Sequence, residues 1–189
     1  MILRLLLFPL LLGVQAIKAD TPTQWAGVAE ITFSGTSTLH DWAGKVSADP
    51  FVTNVILDDA GQLKQVKAKV SVKATDMDTA EPKRDDNMKK AMKVTDHPLI
   101  EASMDAQVTQ IAADGKTPTK LPLTLTLLDK KQSINATISH WKLVGKKATF
   151  DLDFDVSMKA SGISVPAVLL FIRVGDTVKV HAAVALLQL

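Results

Sequence analysis

Ala148-Thr149-Phe150-Asp151-Leu152-Asp153-Phe154-Asp155-Val156-Ser157-Met158-Lys159 alternates apolar and polar residues without a break. A period of two is the mark of a β-strand with one buried and one wet face. At roughly 3.3 Å per residue such a strand runs about 40 Å, well past the usual five or six residues. In a chain of 189 residues a strand of that length has to curl. Closing into a barrel gives the side carrying Phe150, Phe154 and Met158 an inside to face.

Working outward, the same alternation recurs along the chain. Ala29, Ile31 and Phe33 form one apolar set; Val66, Ala68, Val70 and Val72 form another. Ile100 to Val108, Leu121 to Leu127, Ile134 to Ile138 and Val178 to Leu186 repeat the pattern, and Val46 to Val55 supplies a further strand or two. Polar or Gly-bearing turns separate them: Asp58-Asp59-Ala60-Gly61, Asp114-Gly115, Leu128-Asp129-Lys130-Lys131, Val144-Gly145-Lys146-Lys147 and Gly175-Asp176. Short connections between alternating strands predict an antiparallel meander of about eight strands. One stretch breaks the period. Arg84 to Lys93 places Met88, Ala91 and Met92 at i, i+3 and i+4, acidic residues first and lysines last, which predicts a short amphipathic helix. Val94-Thr95-Asp96-His97-Pro98 ends it, leaving His97 exposed. Ser161 to Leu170, around Pro166, reads as a loop or short helix.

Residues 1–19 read differently. Arg4, an apolar run from Leu5 to Val14, and small residues at Ala16 and Ala19 describe a cleaved secretory signal peptide. The run is shorter than the roughly 20 residues that span a bilayer. The remainder, 20–189, is read as one domain with no integral membrane segment. The chain has 22 basic and 20 acidic residues, and cleavage after Ala19 removes Arg4 and Lys18, leaving 20 of each. The basic balance therefore gives no reason to expect nucleic acid as a partner. The chain has no Cys, which excludes thiolate catalysis and cysteine metal sites and fits an exported bacterial, periplasmic protein.

Few residues suggest bond-making chemistry. His40-Asp41 has the types of a general-base pair, but neighbours on a strand point to opposite faces. His40, His97, His140 and His181 show no metal-ligand spacing, so no metal is expected. Asp151, Asp153 and Asp155 have the opening spacing of a calcium loop, yet Val156 stands where its glycine belongs and Gly162 where its final glutamate belongs. They read as a solvated face. Lys64, Lys67, Lys69 and Lys73 read as the wet face of an edge strand. The interior remains. Met88, Met92, Met104 and Met158 suit an adaptable apolar pocket, and Ala68, Ala102, Ala106, Ala136, Ala148 and Ala182 are small inward residues that leave room for one.

In order along the chain, Gly35-Thr36-Ser37-Thr38-Leu39-His40-Asp41-Trp42, Arg84-Asp85-Asp86-Asn87-Met88 with Ala91-Met92, His97-Pro98-Leu99-Ile100, Leu123-Thr124-Leu125, Ser161-Gly162-Ile163-Ser164-Val165-Pro166 and Val174-Gly175-Asp176-Thr177-Val178 resemble the YceI-like lipid/polyisoprenoid-binding family. The resemblance implies a lipocalin-like barrel, export to the periplasm, a long apolar tunnel, isoprenoid ligands such as polyprenyl phosphates or quinones, and a helix carrying Met88 and Met92 across the tunnel. Where the family has a glycine before a basic turn, this chain has Thr126-Leu127-Leu128.

The leading expectation is a periplasmic carrier or sequestering protein for an amphiphilic isoprenoid, with no cofactor beyond that bound lipid or quinone. Phe33, Met88, Met92, Leu125, Phe150, Phe154 and Met158 would line the tunnel, and His40 or Arg84 would meet a head group at its mouth. Two alternatives stay open: a lipid-acting enzyme using His40 and Asp41, and a filled barrel serving as an interaction module. A homodimer stays open as well.

Overall fold

The computed structural model describes residues 21–112, 118–164 and 173–189. The leader at 1–19, the turn at Asp114-Gly115 and the segment around Pro166 lie outside the described residues.

The chain forms nine strand segments: β1 (Thr23–Gly35), β2 (Trp42–Ser47), β3 (Phe51–Leu57), β4 (Leu63–Lys73), β5 (Leu99–Gln107), β6 (Lys120–Leu127), β7 (Lys130–Val144), β8 (Lys147–Ser157) and β9 (Thr177–Gln188). Every pairing is antiparallel, and β9 returns to β1 to close the sheet. β1 has β9 along one edge, from Trp25 to Ser34. Its other edge carries β3 against Thr23–Gly27 and β2 against Glu30–Gly35. β2 and β3 therefore make one stave, interrupted at Ala48-Asp49-Pro50, and nine segments build eight staves. Pro50 has no N–H for a ladder. Just before it Asp49 turns to β4: its N–H donates to the Ser71 carbonyl at 2.9 Å, and its carboxylate takes the Ser71 hydroxyl at 3.1 Å.

The long alternating stretch behaves as its pattern requires. Ala148, Phe150, Leu152, Val156 and Met158 are buried, while Asp153 and Asp155 are exposed. The strand stops at Ser157, and Met158 sits in the following turn. The wet face is paired, with Asp151 2.7 Å from His140 and Asp153 2.9 Å from His181. Among the described residues no group of three or more metal-ligating side chains converges.

β4 pairs with β5 from Gln65 to Lys73 but with β3 only as far as Ala68, so its lysines flank a partly open edge and are paired as well. Lys67 meets Asp105 at 3.2 Å and Lys69 meets Glu101 at 2.6 Å, both across the β4–β5 ladder. His97 is also less open than expected. Its side chain is 27 % exposed and lies 3.2 Å from Asp129. Asp129 and Leu128 form the two-residue β6–β7 turn with φ of 60° and 50°, the primed geometry that suits hairpin twist. Leu128, standing in the segment where the resemblance leads one to expect glycine, packs on the rim cluster of Met92, Leu127 and Met158.

Strand directions give the barrel two unlike ends. At one end lie α2 (Val108–Ile111) and the starts of β1, β4, β6 and β8. There Trp25, Val55, Ile111 and Leu121 are essentially sealed from solvent, and the end is filled. Val108, read as the last residue of a strand, is the first of α2, whose first turn is tied by a capping box between Gln107 and Gln110. At the other end lie the β1–β2 loop, the β4–β5 connection with α1 (Pro82–Ala91), and the β8–β9 connection. α1 begins two residues before the predicted start because Pro82 suits the first turn of a helix.

Candidate binding cavity

The open end holds an apolar cavity of about 390 Å³. Its wall comes from the rim-side ends of the staves. β1 contributes Ile31 and Phe33, β6 Leu125 and Leu127, and β8 Phe154 and Val156. Val70 and Val72, Ile100 and Ala102, and Val178 and Val180 do the same for β4, β5 and β9. In each case these are inward positions near the rim-side end of the strand. Met77, Met88, Ala91, Met92 and Met158 cover the top. Polar groups stand among Ser37, His40, Thr79, Arg84 and Asn87.

Three tethers hold this cover. Asp85, in the first turn of α1, accepts from the Thr79 hydroxyl at 2.6 Å and the Thr79 N–H at 2.9 Å. The Thr79 hydroxyl is the main reason the Asp85 carboxyl lies below its ordinary value, with the Thr79 N–H and nearby Lys89 and Arg84 adding to it. Asp176 accepts the Lys159 N–H and the Ser157 hydroxyl, each at 2.7 Å, so its carboxyl is lowered as well, chiefly by the backbone bond. On the inner side of the same turn the Gln132 amide donates to the Ser157 carbonyl at 3.1 Å and to the buried Ser161 hydroxyl. Met158 and Ile163 are thereby set over the barrel. In the β1–β2 loop, the Ser37 hydroxyl donates to the His40 carbonyl at 2.6 Å, and Thr38 N–H donates to Arg173 O at 3.0 Å.

Of the residues expected in the tunnel, Phe33, Met88, Met92, Leu125, Phe154 and Met158 all border this cavity, as do His40 and Arg84. Phe150 does not. It lies farther down β8, with its ring centroid 5.5 Å from that of Trp141. The inward alanines are likewise mostly away from the cavity. Of the six inward alanines only Ala102 borders the cavity; Ala106, Ala136 and Ala148 are sealed inside the cluster that includes Trp25 and Ile111. The room those small residues leave is occupied by large neighbours.

Trp42 and strand-end wall residues such as Val72, Ile100, Leu127 and Val178 are not singled out by the sequence. Trp42 stands edge-on to Phe33 at 6.3 Å and 65°. His40 faces Arg84, with Nε2 3.5 Å from Nη2.

The motifs from Gly35 to Trp42, Arg84 to Met92, His97 to Ile100 and Val174 to Val178 all surround the open end. A family profile described as the YceI-like domain matches residues 25–186. No curated protein matches. Solved structures do. BcnA of Burkholderia cenocepacia is 14 % identical with a TM-score of 0.66, over 83 % of this chain and 95 % of its own. A polyisoprenoid binding domain from Saccharophagus degradans is 11 % identical with a TM-score of 0.59, over 89 % of this chain and all of its own. At these identities the likeness is one of fold.

Proposed function

The chain belongs to the YceI-like family, and from that premise we propose that it binds the apolar tail of an amphiphilic isoprenoid, of polyprenyl or quinone type, inside the open end of its barrel. The observation that carries this reading is the apolar cavity of about 390 Å³, which falls in the range of small-molecule sites. The fold likeness to a polyisoprenoid binding domain supports it. Each buried methylene is worth about 0.8 kcal/mol, so a tail is held without a specific polar contact, and the methionines adapt to its branches. A head group at the mouth is supported by the polar residues there: Arg84 has the planar donor fork that suits phosphate, and His40 lies beside it. The role that fits is a carrier or sequestering protein, exported by the 1–19 leader to the periplasm, and the reading assigns no bond-making step.

Native mass spectrometry of protein purified without detergent tests this. The expected result is an adduct with the mass of an isoprenoid lipid, or uptake of a supplied short-tailed quinone or polyprenol. Homogeneous protein that carries no added mass and takes up neither would overturn the reading.

A further inference from the structure

We infer that the outer face of β9, β1 and β3 is a self-complementary surface through which two copies of this chain pack as a two-fold dimer. An antiparallel sheet with one buried face carries polar residues on the other, and β8 does so with Thr149, Asp151 and Asp153. Its neighbour β9 does not. Ala182, Val184 and Leu186 point inward and are buried, yet the outward positions that alternate with them are Ala183, Ala185, Leu187 and Leu189. A strand that is apolar on both sides has the pattern of one covered on both faces. The register extends the patch sideways. Leu187 pairs with Ala26, which pairs with Val52 on β3, and Ala185 pairs with Val28. The Leu189 N–H donates to the Gln24 carbonyl at 3.0 Å, which carries the outer row on to Leu189. Val28, Val52, Leu187 and Leu189 are 52 %, 55 %, 46 % and 65 % exposed. Four of the seven large hydrophobic residues exposed among the described residues therefore gather on this one face.

The order of these residues names the occupant. Consider a two-fold axis that lies in the interface, runs across the strands, and passes between the Leu187 and Ala185 rows. It lays β9 over β9 and β1 over β1 in reverse direction. Leu187 then faces the partner's Ala185, Leu189 faces the partner's Ala183, and Val28 faces the partner's Ala26. Each bulky side chain meets a small one, the alternation that lets two faces interdigitate. The polar border follows the same reversal. Glu30 and Asp151 stand at the rim-side edge of the patch, and Lys146 and Lys147 at its closed-end edge. The reversal brings Lys146 and Lys147 to the partner's Asp151 and Glu30 to the partner's Gln24. Four strands at about 4.8 Å and five outward rows at about 6.6 Å give a footprint of roughly 600 Å² per copy. Two copies bury about 1,200 Å², the lower end of specific interfaces, so the dimer is reversible. A lipid surface fits this face less well, because it is rich in alanine and carries no aromatic anchor of the kind that sits at membrane interfaces. The cavity mouth lies at the rim, beyond the acidic edge, and stays open in the dimer.

Sedimentation velocity tests this on protein purified after expression of the full chain, over a dilution series from about 500 μM to about 1 μM. The expected result is a monomer–dimer equilibrium within that range. Leu187→Lys and Ala185→Glu lie on exposed outward positions and should keep the wild-type circular dichroism spectrum. Each should shift the equilibrium at least about tenfold toward monomer, because each buries an unpaired charge. Val28→Glu makes the same test from β1. An equimolar mixture of Leu187→Lys and Ala185→Glu should associate again, because the two-fold sets position 187 of one copy against position 185 of the other. Wild-type protein that stays monomeric throughout overturns the proposal, and its flotation with vesicles of phosphatidylethanolamine and phosphatidylglycerol would assign the face to a lipid surface instead. Association that none of the three variants weakens lies on another face and overturns it as well. Variants that dissociate alone and stay apart when mixed overturn the two-fold register.

Discussion

Opposite three glycines at the start of the barrel stand three aromatic rings. Gly27 pairs with Phe51, Gly35 with Trp42 and Gly44 with Phe33. Each ring occupies the space that a Cβ on its glycine would need. Two of these rings, Trp42 and Phe33, are cavity wall, so the glycines shape the site without touching a ligand. Gly44→Ala should cost about 1–3 kcal/mol by overpacking and should weaken ligand uptake, because the Phe33 ring has to leave its place. Gly145→Ala is the contrasting case: a Cβ there meets nothing, but φ is 58°. It should cost about 1–2 kcal/mol of backbone strain and leave uptake unchanged. Urea titration with a binding assay on both variants checks this. Little of it was legible beforehand. Alternation assigns Phe33 and Phe150 to the same inner face but carries no information on height, and only Phe33 reaches the cavity. Trp141 was hidden for a local reason. His140 has φ of 55° and the register slips between Ser139 and Lys142. That bulge turns Trp141 inward three residues after Ile138, where a period of two breaks.

Among the elements, α1 was readable from its charges and its methionine spacing, but its attachment was not. The helix is tied down through Asp85, whose partner Thr79 lies in an irregular stretch with no periodic signal. Asp85 and Asp176, two of the rim tethers, both have carboxyls lowered from 3.8. A lowered folded-state value means that each contributes stability in full above the unfolded-chain value, and that this is lost as pH falls through the lowered one. The open end should therefore loosen below about pH 4. Thermal denaturation from about pH 6 down to about pH 3 should show a steeper fall for the wild type than for Asp85→Asn, which keeps an acceptor for Thr79 but no longer titrates. Equal slopes would show that Asp85 carries none of the dependence.

Across the whole molecule, the division into a filled end and an open end separates stability from binding. Ile111, the buried residue of α2, lies in the core cluster at the end away from the cavity. Ile111→Ala should cost about 2–5 kcal/mol, read as a lower urea midpoint, and should leave affinity for a short prenyl ligand unchanged. A large change in affinity would mean that the two ends are coupled. Closure of β9 on β1 leaves few open strand edges, and Lys67 and Lys69 meet acidic partners across the β4–β5 ladder. Among the described residues no helix is long and apolar enough to cross a membrane.

The sequence by itself determined that the chain is an antiparallel barrel, which side chains face inward along the regular strands, and where the short helix lies. These follow from period, turn chemistry and charge order, all of which act over a few neighbouring residues. Tertiary structure alone decided how far the inside is empty. That depends on strand stagger, on the bulge at His140, on the break at Pro50, and on which large side chain fills the space beside each small one. Such packing joins residues a hundred or more positions apart, and no local pattern records it.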